Sequence, residues 1–256
     1  MTVSDEASRE SFQASSTYFL LLTDQEWWHY DSFIDYGGMI MKFEPANLDE
    51  KELHELLGRA IAPLPISLVS TVSEKGTYNA APYSMLFPVC WKPPIVCLSI
   101  SLRQGGQKKD TQHNIEFSRD FVVNIMDESR INSTIQASIN YPSDIDEIKE
   151  VGLTAIPADK VKSPLIAEAQ VSFECQVRQQ LELGSGPQLR CIIFGEVVLA
   201  HVKDKVWVNG RIEPAEMKTV GRLGTGVYCH TNDIFRLKFP DWASLSKTRG
   251  GGSTSR

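Results

Sequence analysis

Residues 66–125 constrain the fold of this chain most, because short apolar runs alternate there with turn residues. Ile66–Thr71 is typical of a strand, and Ser73–Gly76 indicates the turn that follows it. The apolar run Pro94–Ser101 predicts a buried strand, and a helix is predicted from about Asp110 to Phe117. Many strands joined by glycine and proline turns, with few helices, favour a barrel over a doubly wound sheet.

The rest of the chain continues this β-rich pattern. Further strands are predicted near residues 78–87, 120–126, 170–181, 188–202 and 206–208. Gly184–Pro187 indicates a hairpin-type connection between the two longest of them. Asn47 is predicted to cap a helix that runs through Gly58, whereas residues 131–139 and 145–151 are expected to be helical or irregular.

The composition excludes several classes of function. The 256 residues are enough for one large domain or for a domain with extensions. A formal net charge of −6 provides no electrostatic footprint for nucleic acid or for an anionic membrane. The N-terminal apolar run Tyr18–Leu22 is far too short to span a bilayer, and no basic region precedes it.

The five cysteines include no Cys-x-x-Cys pair. Three of them lie inside apolar strand patterns, so we expect reduced, mostly buried thiols and a cytoplasmic location. Because ligand spacing is missing, we expect no metal, structural zinc included.

Three regions are expected along the chain. Residues 1–38 form an N-terminal extension with an aromatic cluster, and residues 39–243 form the main domain. Residues 244–256 form a glycine- and serine-rich tail that we expect to be disordered. The aromatic cluster needs a surface to cover it, which leaves two interpretations: a short helix packed on its own domain, or an arm docked on a partner subunit.

Lys109, Asp110 and Thr111 stand where a helix is predicted to begin, and they are candidates for binding phosphate. The amino end of a helix directs free N–H groups and the positive end of its dipole outward. Lys109 adds a positive charge and Thr111 a hydroxyl donor, whereas Asp110 is expected to cap the helix or orient its neighbours. The same residues also fit an ordinary solvated helix start. The P-loop pattern of ATP-binding proteins is missing.

The return strand after the first turn supplies a second group of candidates. Ala81 is small enough to leave room for a flat ring, and Asn79 carries an amide that suits a ring carbonyl. Ser84 adds a hydroxyl that suits a polyol chain or a phosphate, and Tyr83 beside it belongs to the same group of candidates. A plain hairpin with a proline at its edge is the alternative interpretation.

Further hydroxyl residues occur in neighbouring strands. Ser99 and Ser101 alternate with apolar residues, so the two-residue period places both on one face. Ser70 and Thr71 are a similar case at the end of the first strand. Such side chains either line a polar cavity or face solvent.

A glycine-rich segment, residues 221–230, supplies the third group. Arg222 is a candidate second cation, and Tyr228 is a candidate for ring stacking or a hydroxyl contact. His230 is the candidate catalytic proton donor, because imidazole exchanges protons near neutral pH. The alternative is a surface histidine.

Taken in this order, the motifs resemble the flavin reductase-like family. The resemblance covers about residues 55–240. The matching segments are Val69–Thr71, Gly76, Asn79, Ala81–Pro82, Ser84, Pro93–Pro94, Lys109–Thr111, Asn114–Ile115, Phe121–Asn124 and Arg222–Tyr228. The match adds Asn114 to the candidates for binding the cofactor.

The resemblance implies a mainly β fold, an antiparallel split β-barrel of Greek-key type with flanking helices that binds FMN at a homodimer interface. It also implies an FMN-dependent NAD(P)H oxidoreductase, or flavin reductase, that passes electrons to an acceptor. Since no GxGxxG fingerprint follows a strand, NADH or NADPH is expected to bind transiently over the flavin rather than on a domain of its own.

One position departs from the family pattern. The family commonly has an arginine before the proline of the first strand, where this chain has Leu64 before Pro65. The missing cation leaves open a flavoredoxin-like electron carrier without nicotinamide activity. The aromatic extension leaves open a barrel that binds no flavin and acts as an interaction module.

Overall fold

The computed structural model describes residues 41–239, which fall into two compact units that divide after Leu48. The described part of the first unit contains a 3₁₀ turn, Pro45–Asn47. The second unit carries all the elements named below. Residues 1–38 and 244–256, the predicted extension and tail, lie outside the described residues.

The described residues contain five α-helices and fourteen strands. The helices are α1 (Glu50–Ala60), α2 (Asp110–Ser118), α3 (Ile131–Gln136), α4 (Glu147–Glu150) and α5 (Pro214–Met217). The strands are β1 (Leu64–Pro65), β2 (Ser67–Val72), β3 (Tyr78–Tyr83), β4 (Leu86–Trp91), β5 (Pro94–Ser101), β6 (Asp120–Ile125), β7 (Ala155–Ile156), β8 (Leu165–Ile166), β9 (Val171–Leu183), β10 (Arg190–Val202), β11 (Trp207–Val208), β12 (Arg211–Ile212), β13 (Val220–Gly224) and β14 (Val227–His230). The sequence therefore predicted most of the long strands and α2 to within two residues.

The first helix begins later than predicted. Asp49, not Asn47, caps α1: its carboxylate accepts from the Glu52 N–H at 2.8 Å, and the Glu52 carboxylate accepts from the Asp49 N–H at 2.9 Å. This reciprocal capping box satisfies two N–H groups at the helix start. The Asn47 amide is instead bound to Glu44 at 3.0 Å.

Seven strands form one antiparallel sheet in the order β3-β2-β6-β9-β10-β5-β4. The two edge strands, β3 and β4, are separated along the chain only by Ser84 and Met85. Because two residues span at most about 7 Å, the two edges lie close together and the sheet curls into a barrel. The predicted strand 78–87 is therefore two strands, one at each edge, and the predicted antiparallel split barrel is confirmed.

Strand β2 separates two apolar cores. On one face, Val69 packs in a fully buried cluster with Phe121 and Ile193, inside the barrel. On the other face, Leu68 packs in a second cluster with Ile148 and residues near β8. This second core holds the chain that contains α3 and α4 against β2 and β3, and so places that chain beside the edge strand β3.

Two buried carboxylates hold residues 159–163 against the sheet. Asp120 accepts from the N–H and the hydroxyl of Ser163, at 3.2 and 2.6 Å. Glu174 accepts from the N–H groups of Asp159 and Lys160, at 3.0 and 2.6 Å. Buried carboxylates are tolerated when hydrogen bonds replace their lost water.

Asp159, Glu174 and His201 place atoms of metal-ligating types within 4.8 Å of one another. His201 Nε2 lies 2.6 Å from Glu174 Oε1, which already accepts the Asp159 N–H. Burial alone would raise the pKa of Glu174, but the hydrogen bonds from Asp159, His201 and Lys160 together lower it. The hydrogen bonds that anchor residues 159–163 to the sheet thus account for the closeness of these three residues.

Gly195 of β10 leaves no room for a side chain. An added Cβ would lie 2.5 Å from the Phe121 ring and 3.2 Å from Cys175 Cβ. Because over-packing a core costs about 1–3 kcal/mol, Gly195→Ala is expected to lower the free energy of unfolding, measured in urea, by that amount. In Gly58→Ala, the matched control, the new Cβ meets nothing within 4 Å. Equal stability of the two variants would contradict the packing argument.

Candidate functional site

Three neighbouring cavities form a groove along the edge strand β3. We name each by one residue that lines it. The Tyr228 cavity has a volume of about 250 Å³, the Lys109 cavity about 60 Å³ and the Tyr78 cavity about 330 Å³.

Neighbouring cavities share lining residues, so they lie side by side along β3. The Tyr228 and Lys109 cavities share Pro82 and Ser138. The Lys109 and Tyr78 cavities share Asn79, Asp110 and Glu147. The groove therefore follows β3 from its end near Ser84 back to its start, with the Lys109 cavity in the middle.

The Lys109 cavity gathers positive charge at the amino end of α2. Arg103, Lys109 and Thr111 line it, and no side chain caps this end of the helix. The predicted capping role of Asp110 is wrong, because Lys109 occupies the cap position. Asp110 instead forms an ion pair with Arg103, which fits the other predicted role of orienting a neighbour. Because the Asp110 carboxylate offsets the charge of Arg103, Lys109 and the uncapped N–H groups are the features that favour an anionic ligand here.

Arg103 Nε is buried beside this cavity and has no hydrogen-bond partner among the described residues, whereas the buried Tyr83 hydroxyl has Thr111 beside it. Burial raises the pKa of Tyr83, so its hydroxyl stays protonated and able to donate. Lys109 Nζ lies 5.8 Å from the centre of the Tyr83 ring. Burial lowers the pKa of Lys109, and the charges of Arg103 and Arg190 lower it further. A bound anion would raise the pKa of Lys109 again.

Four buried polar side chains fix α2 against the strands. The Asn79 amide lies 3.2 Å from Thr71 Oγ1 and 3.1 Å from Thr111 Oγ1. Asn114 donates to Thr71 Oγ1 at 3.0 Å. The amide orientation that satisfies Asn79 has its oxygen accepting from both hydroxyls and its nitrogen donating to Glu147 at 3.1 Å. The structure thus brings Thr71, Asn79, Thr111 and Asn114 together, and all of them except Thr71 line the groove.

The Tyr228 cavity is less polar and more open. Ile66 and Ile135 line it together with Tyr83 and Tyr228. These apolar and aromatic walls suit a flat ring.

Arg222 reaches the same cavity and is held in place there. Its Nη1 donates to Ser84 Oγ at 3.0 Å. Arg222 also lies directly across from Leu64 in the β1–β13 pairing. Cross-strand partners share a face. Arg222 therefore places a cation beside position 64, where the family commonly has an arginine and this chain has a leucine.

The remaining candidates lie apart from the groove or turn away from it. Ser70 donates to Pro164 O at 2.5 Å and accepts from Asn124, on the face of β2 opposite Thr71. Ser99 and Ser101 line none of the three cavities.

His230 also lines none of the three cavities. Its side chain is 72% exposed, and Nδ1 lies 2.8 Å from Glu128 Oε2. Its role as a proton donor stays a prediction.

Comparison with known proteins identifies the family. Residues 58–216 match the model of the flavin reductase like domain. The chain belongs to the flavin reductase-like family. An uncharacterized protein from Halalkalibacterium halodurans is 32% identical over 202 residues, which cover 78% of this chain and 97% of that protein.

Two solved structures share the arrangement of this flavin reductase-like domain. Nitrilotriacetate monooxygenase component B from Bacillus cereus is 30% identical, with a TM-score of 0.74 over 78% of this chain and 99% of its own. The 2-nitrobenzoate 2-nitroreductase of Pseudomonas fluorescens is 26% identical, with a TM-score of 0.71 over 79% of this chain and 98% of its own.

Sequence reasoning missed two residues of the groove in this flavin reductase-like domain. Arg103 lies just before the Gly105–Gly106 loop, and a cation beside such a loop was a usable signal. Glu147 gave none, because α4 reaches β3 only through the second core. Its Oε2 accepts from the Ala80 N–H at 2.9 Å, and the residue is 5% exposed.

Glu147→Gln is expected to remove a pH-dependent loss of stability. Burial raises the pKa of Glu147 from its usual 4.5 to about 7, against the opposing effect of the Ala80 N–H. Because the pKa is higher in the folded state, the stability contributed by this group is present below pH 4.5 and lost as pH rises through about 7. The variant should exceed the wild type in free energy of unfolding by roughly 2–3 kcal/mol at pH 8, and differ little at pH 5.

Urea unfolding between pH 5 and 8 measures this difference. Glu150→Gln is the matched control, because Glu150 is an exposed carboxylate on the same helix. An unchanged pH profile in Glu147→Gln would refute the assignment.

Proposed function

We propose that this protein is an FMN-dependent oxidoreductase that takes electrons from NADH or NADPH and passes them to an acceptor. The observation that carries the proposal is the pairing, in one groove of a flavin reductase-like barrel, of a cationic cavity and an aromatic one. The buried Arg103 Nε, which has no hydrogen-bond partner among the described residues, supports an anionic group in the first of these cavities.

The residues present fit both ends of the cofactor. Lys109, Thr111 and Arg103, with the uncapped N–H groups of α2, would hold the phosphate. Ala81 and Ser84 lie on the path from this cavity to the Tyr228 cavity, where the ring would lie. When bound, the flavin supplies the hydride and electron chemistry, and the protein binds and orients it.

One side of the proposed ring site is open to solvent. Tyr228 is 38% exposed, and Thr225 and Gly226 beside it are also exposed. This open side supports transient binding of a nicotinamide cofactor over the ring. Arg222, fixed by Ser84, would place a positive charge near the ring. We retain His230 as the proposed proton donor from outside the groove.

A second candidate function is a flavin-binding electron carrier without nicotinamide activity. Leu64 is the observation that favours it, because the family commonly has a cation there. The position of Arg222 opposite Leu64 favours the reductase.

We also propose that the protein is a cytoplasmic homodimer whose main domain extends over residues 39–243. Phe87, Val89 and Trp91 on the edge strand β4 are 50%, 46% and 80% exposed. Clustered exposed apolar residues mark interaction surfaces. All five cysteines are free thiols, which fits a reducing compartment. Within residues 41–239, no helix has the length and apolar character needed to cross a membrane.

The test of the function is an anaerobic absorption spectrum. The protein saturated with FMN is expected to lose its flavin bands when NADH or NADPH is added. Bands that persist until dithionite is added would support the electron carrier. A protein that binds no flavin would overturn both and favour the interaction module.

Replacing Lys109 by Ala and Thr111 by Val together is expected to weaken FMN binding at least about 100-fold, because a cation is lost and the buried network that positions the amino end of α2 is broken. Isothermal titration with FMN measures the change. Lys108→Ala is the matched control, since Lys108 Nζ pairs with Glu116 at 2.8 Å and lines none of the three cavities. Equal affinity in the double variant and the control would rule out this phosphate site.

Trp91→Asp is expected to convert the dimer into a monomer, because a charge on β4 cannot be buried without a partner. Light scattering after size-exclusion chromatography measures the mass. Trp207→Asp is the matched control, because Trp207 is 51% exposed on β11, outside the β4 surface. A dimer that persists in the β4 variant, or a wild-type monomer, would contradict the proposed interface.

A further inference from the structure

We infer that Glu147 binds the phosphate of the flavin as a neutral carboxylic acid, whose O–H group donates a hydrogen bond to a phosphate oxygen. This inference rests on the proposed function, because it takes the Lys109 cavity as the phosphate site. It deepens that proposal in two ways. The protein takes up a proton from solvent when it binds FMN, and the site selects flavins that carry a phosphate.

Glu147 lies in the wall of the proposed phosphate site. It lines the Lys109 cavity together with Lys109, Arg103 and Thr111. The cavity has a volume of only about 60 Å³, so a phosphate that occupies it would lie close to each of its walls. Glu147, like the two cations, is therefore within reach of a phosphate bound there.

Hydrogen bonds hold one oxygen of this carboxyl group and leave the other free. Glu147 Oε2 accepts from the Ala80 N–H at 2.9 Å, and from the Asn79 amide at 3.1 Å in the orientation that satisfies Asn79. Oε1 has no hydrogen-bond partner among residues 41–239. Because two donors point at Oε2, the proton of the neutral acid belongs on Oε1. The free oxygen is thus the one that can donate to a ligand.

Burial favours the neutral form of this carboxyl group. Glu147 is 5% exposed, and burial raises the pKa of its carboxyl group to about 7, which the Ala80 N–H opposes and the charge of Asp110 reinforces. A phosphate beside it would raise this pKa further, because two negative charges repel each other. The neutral acid can instead donate its O–H group to an anionic oxygen, which forms a short, charge-assisted hydrogen bond.

The charged and titratable groups that face Glu147 come from three places. Arg103, Lys109, Asp110 and His113 lie at or near the amino end of α2, Tyr78 and Tyr83 lie on β3, and Asp146 immediately precedes α4. The residues after α3 that line the Lys109 cavity are uncharged. Asp110 is paired with Arg103, so a fixed cation offsets its charge.

Two other groups titrate together with Glu147 when FMN binds. Burial lowers the pKa of Lys109, and a bound phosphate would raise it again. The phosphate itself has a second pKa of about 6. A change of FMN affinity with pH in the wild type alone would therefore not identify the group responsible.

Glu147→Gln isolates the contribution of Glu147, because glutamine keeps its shape and resembles the neutral acid at every pH. Its amide oxygen can accept from the Ala80 N–H, and its amide nitrogen can donate to the phosphate. FMN, and riboflavin, which lacks the phosphate, are titrated by calorimetry into the wild type and the variant at pH 6 and pH 8. Lys109 and the phosphate titrate in both proteins, so their effects cancel in the ratio of the two dissociation constants.

The FMN dissociation constant of the wild type, divided by that of Glu147→Gln, is expected to rise roughly tenfold from pH 6 to pH 8, because the wild type must regain a proton before it can donate. The same ratio for riboflavin should not change. At pH 8 the wild type should take up nearly one more proton per FMN than the variant, measured in buffers of different ionisation enthalpy. Glu150→Gln, at an exposed position on α4, is the matched control and should behave like the wild type.

Two outcomes would overturn the inference and leave the proposed function standing. An FMN ratio that is the same at pH 6 and pH 8 would show that Glu147 does not donate to the phosphate. A ratio that changes equally for FMN and riboflavin would place the carboxyl group beside the ribityl chain or the ring.

Two further outcomes would reach the proposed function as well. Equal affinities of the wild type for FMN and riboflavin would remove the phosphate from the Lys109 cavity, and with it the role of Glu147. A chain that binds neither flavin would refute the proposed function together with this inference.

Discussion

The site depends on the fact that β3 is an edge strand. It pairs with β2 on one side only, so no strand lies along its other side. The Ala80 N–H on that side is bound by Glu147, and Pro82 has no N–H to offer. This edge of β3 therefore lacks the free N–H groups with which another strand would pair. The space beside it forms a groove with fixed walls.

The position of the cationic end of the groove follows from a small buried polar network. Thr71 of β2, Asn79 of β3, and Thr111 and Asn114 of α2 bind one another with their side chains. Satisfied buried networks fix geometry more sharply than apolar contacts do. The strands thus position the amino end of α2. The exposed Gly105–Gly106 loop before the helix contributes little to this positioning.

The sequence indicated those parts of the fold and site that depend on local signals. Strand periodicity and turn residues predicted the long strands, and the helix start predicted Lys109 and Thr111. The sequence did not predict the break within the strand at 78–87, because Ser84 and Met85 have no turn signature. The break is required only by the closure of the barrel. Two-residue alternation already implied that Ser70 and Thr71 face opposite sides. The positions of Arg103 and Glu147 depend on packing between segments distant in the chain, which one sequence does not reveal.

The anchoring of residues 159–163 determines which substitutions this loop can accept. Asp120 and Glu174 hold that loop mainly through backbone N–H groups, which every residue except proline possesses. Substitution of the side chains of Asp159, Lys160 and Lys162 therefore leaves these hydrogen bonds in place. Ser163, whose buried hydroxyl also donates to Asp120, is constrained together with the two carboxylates, whereas its neighbours are held through N–H groups that any residue but proline supplies.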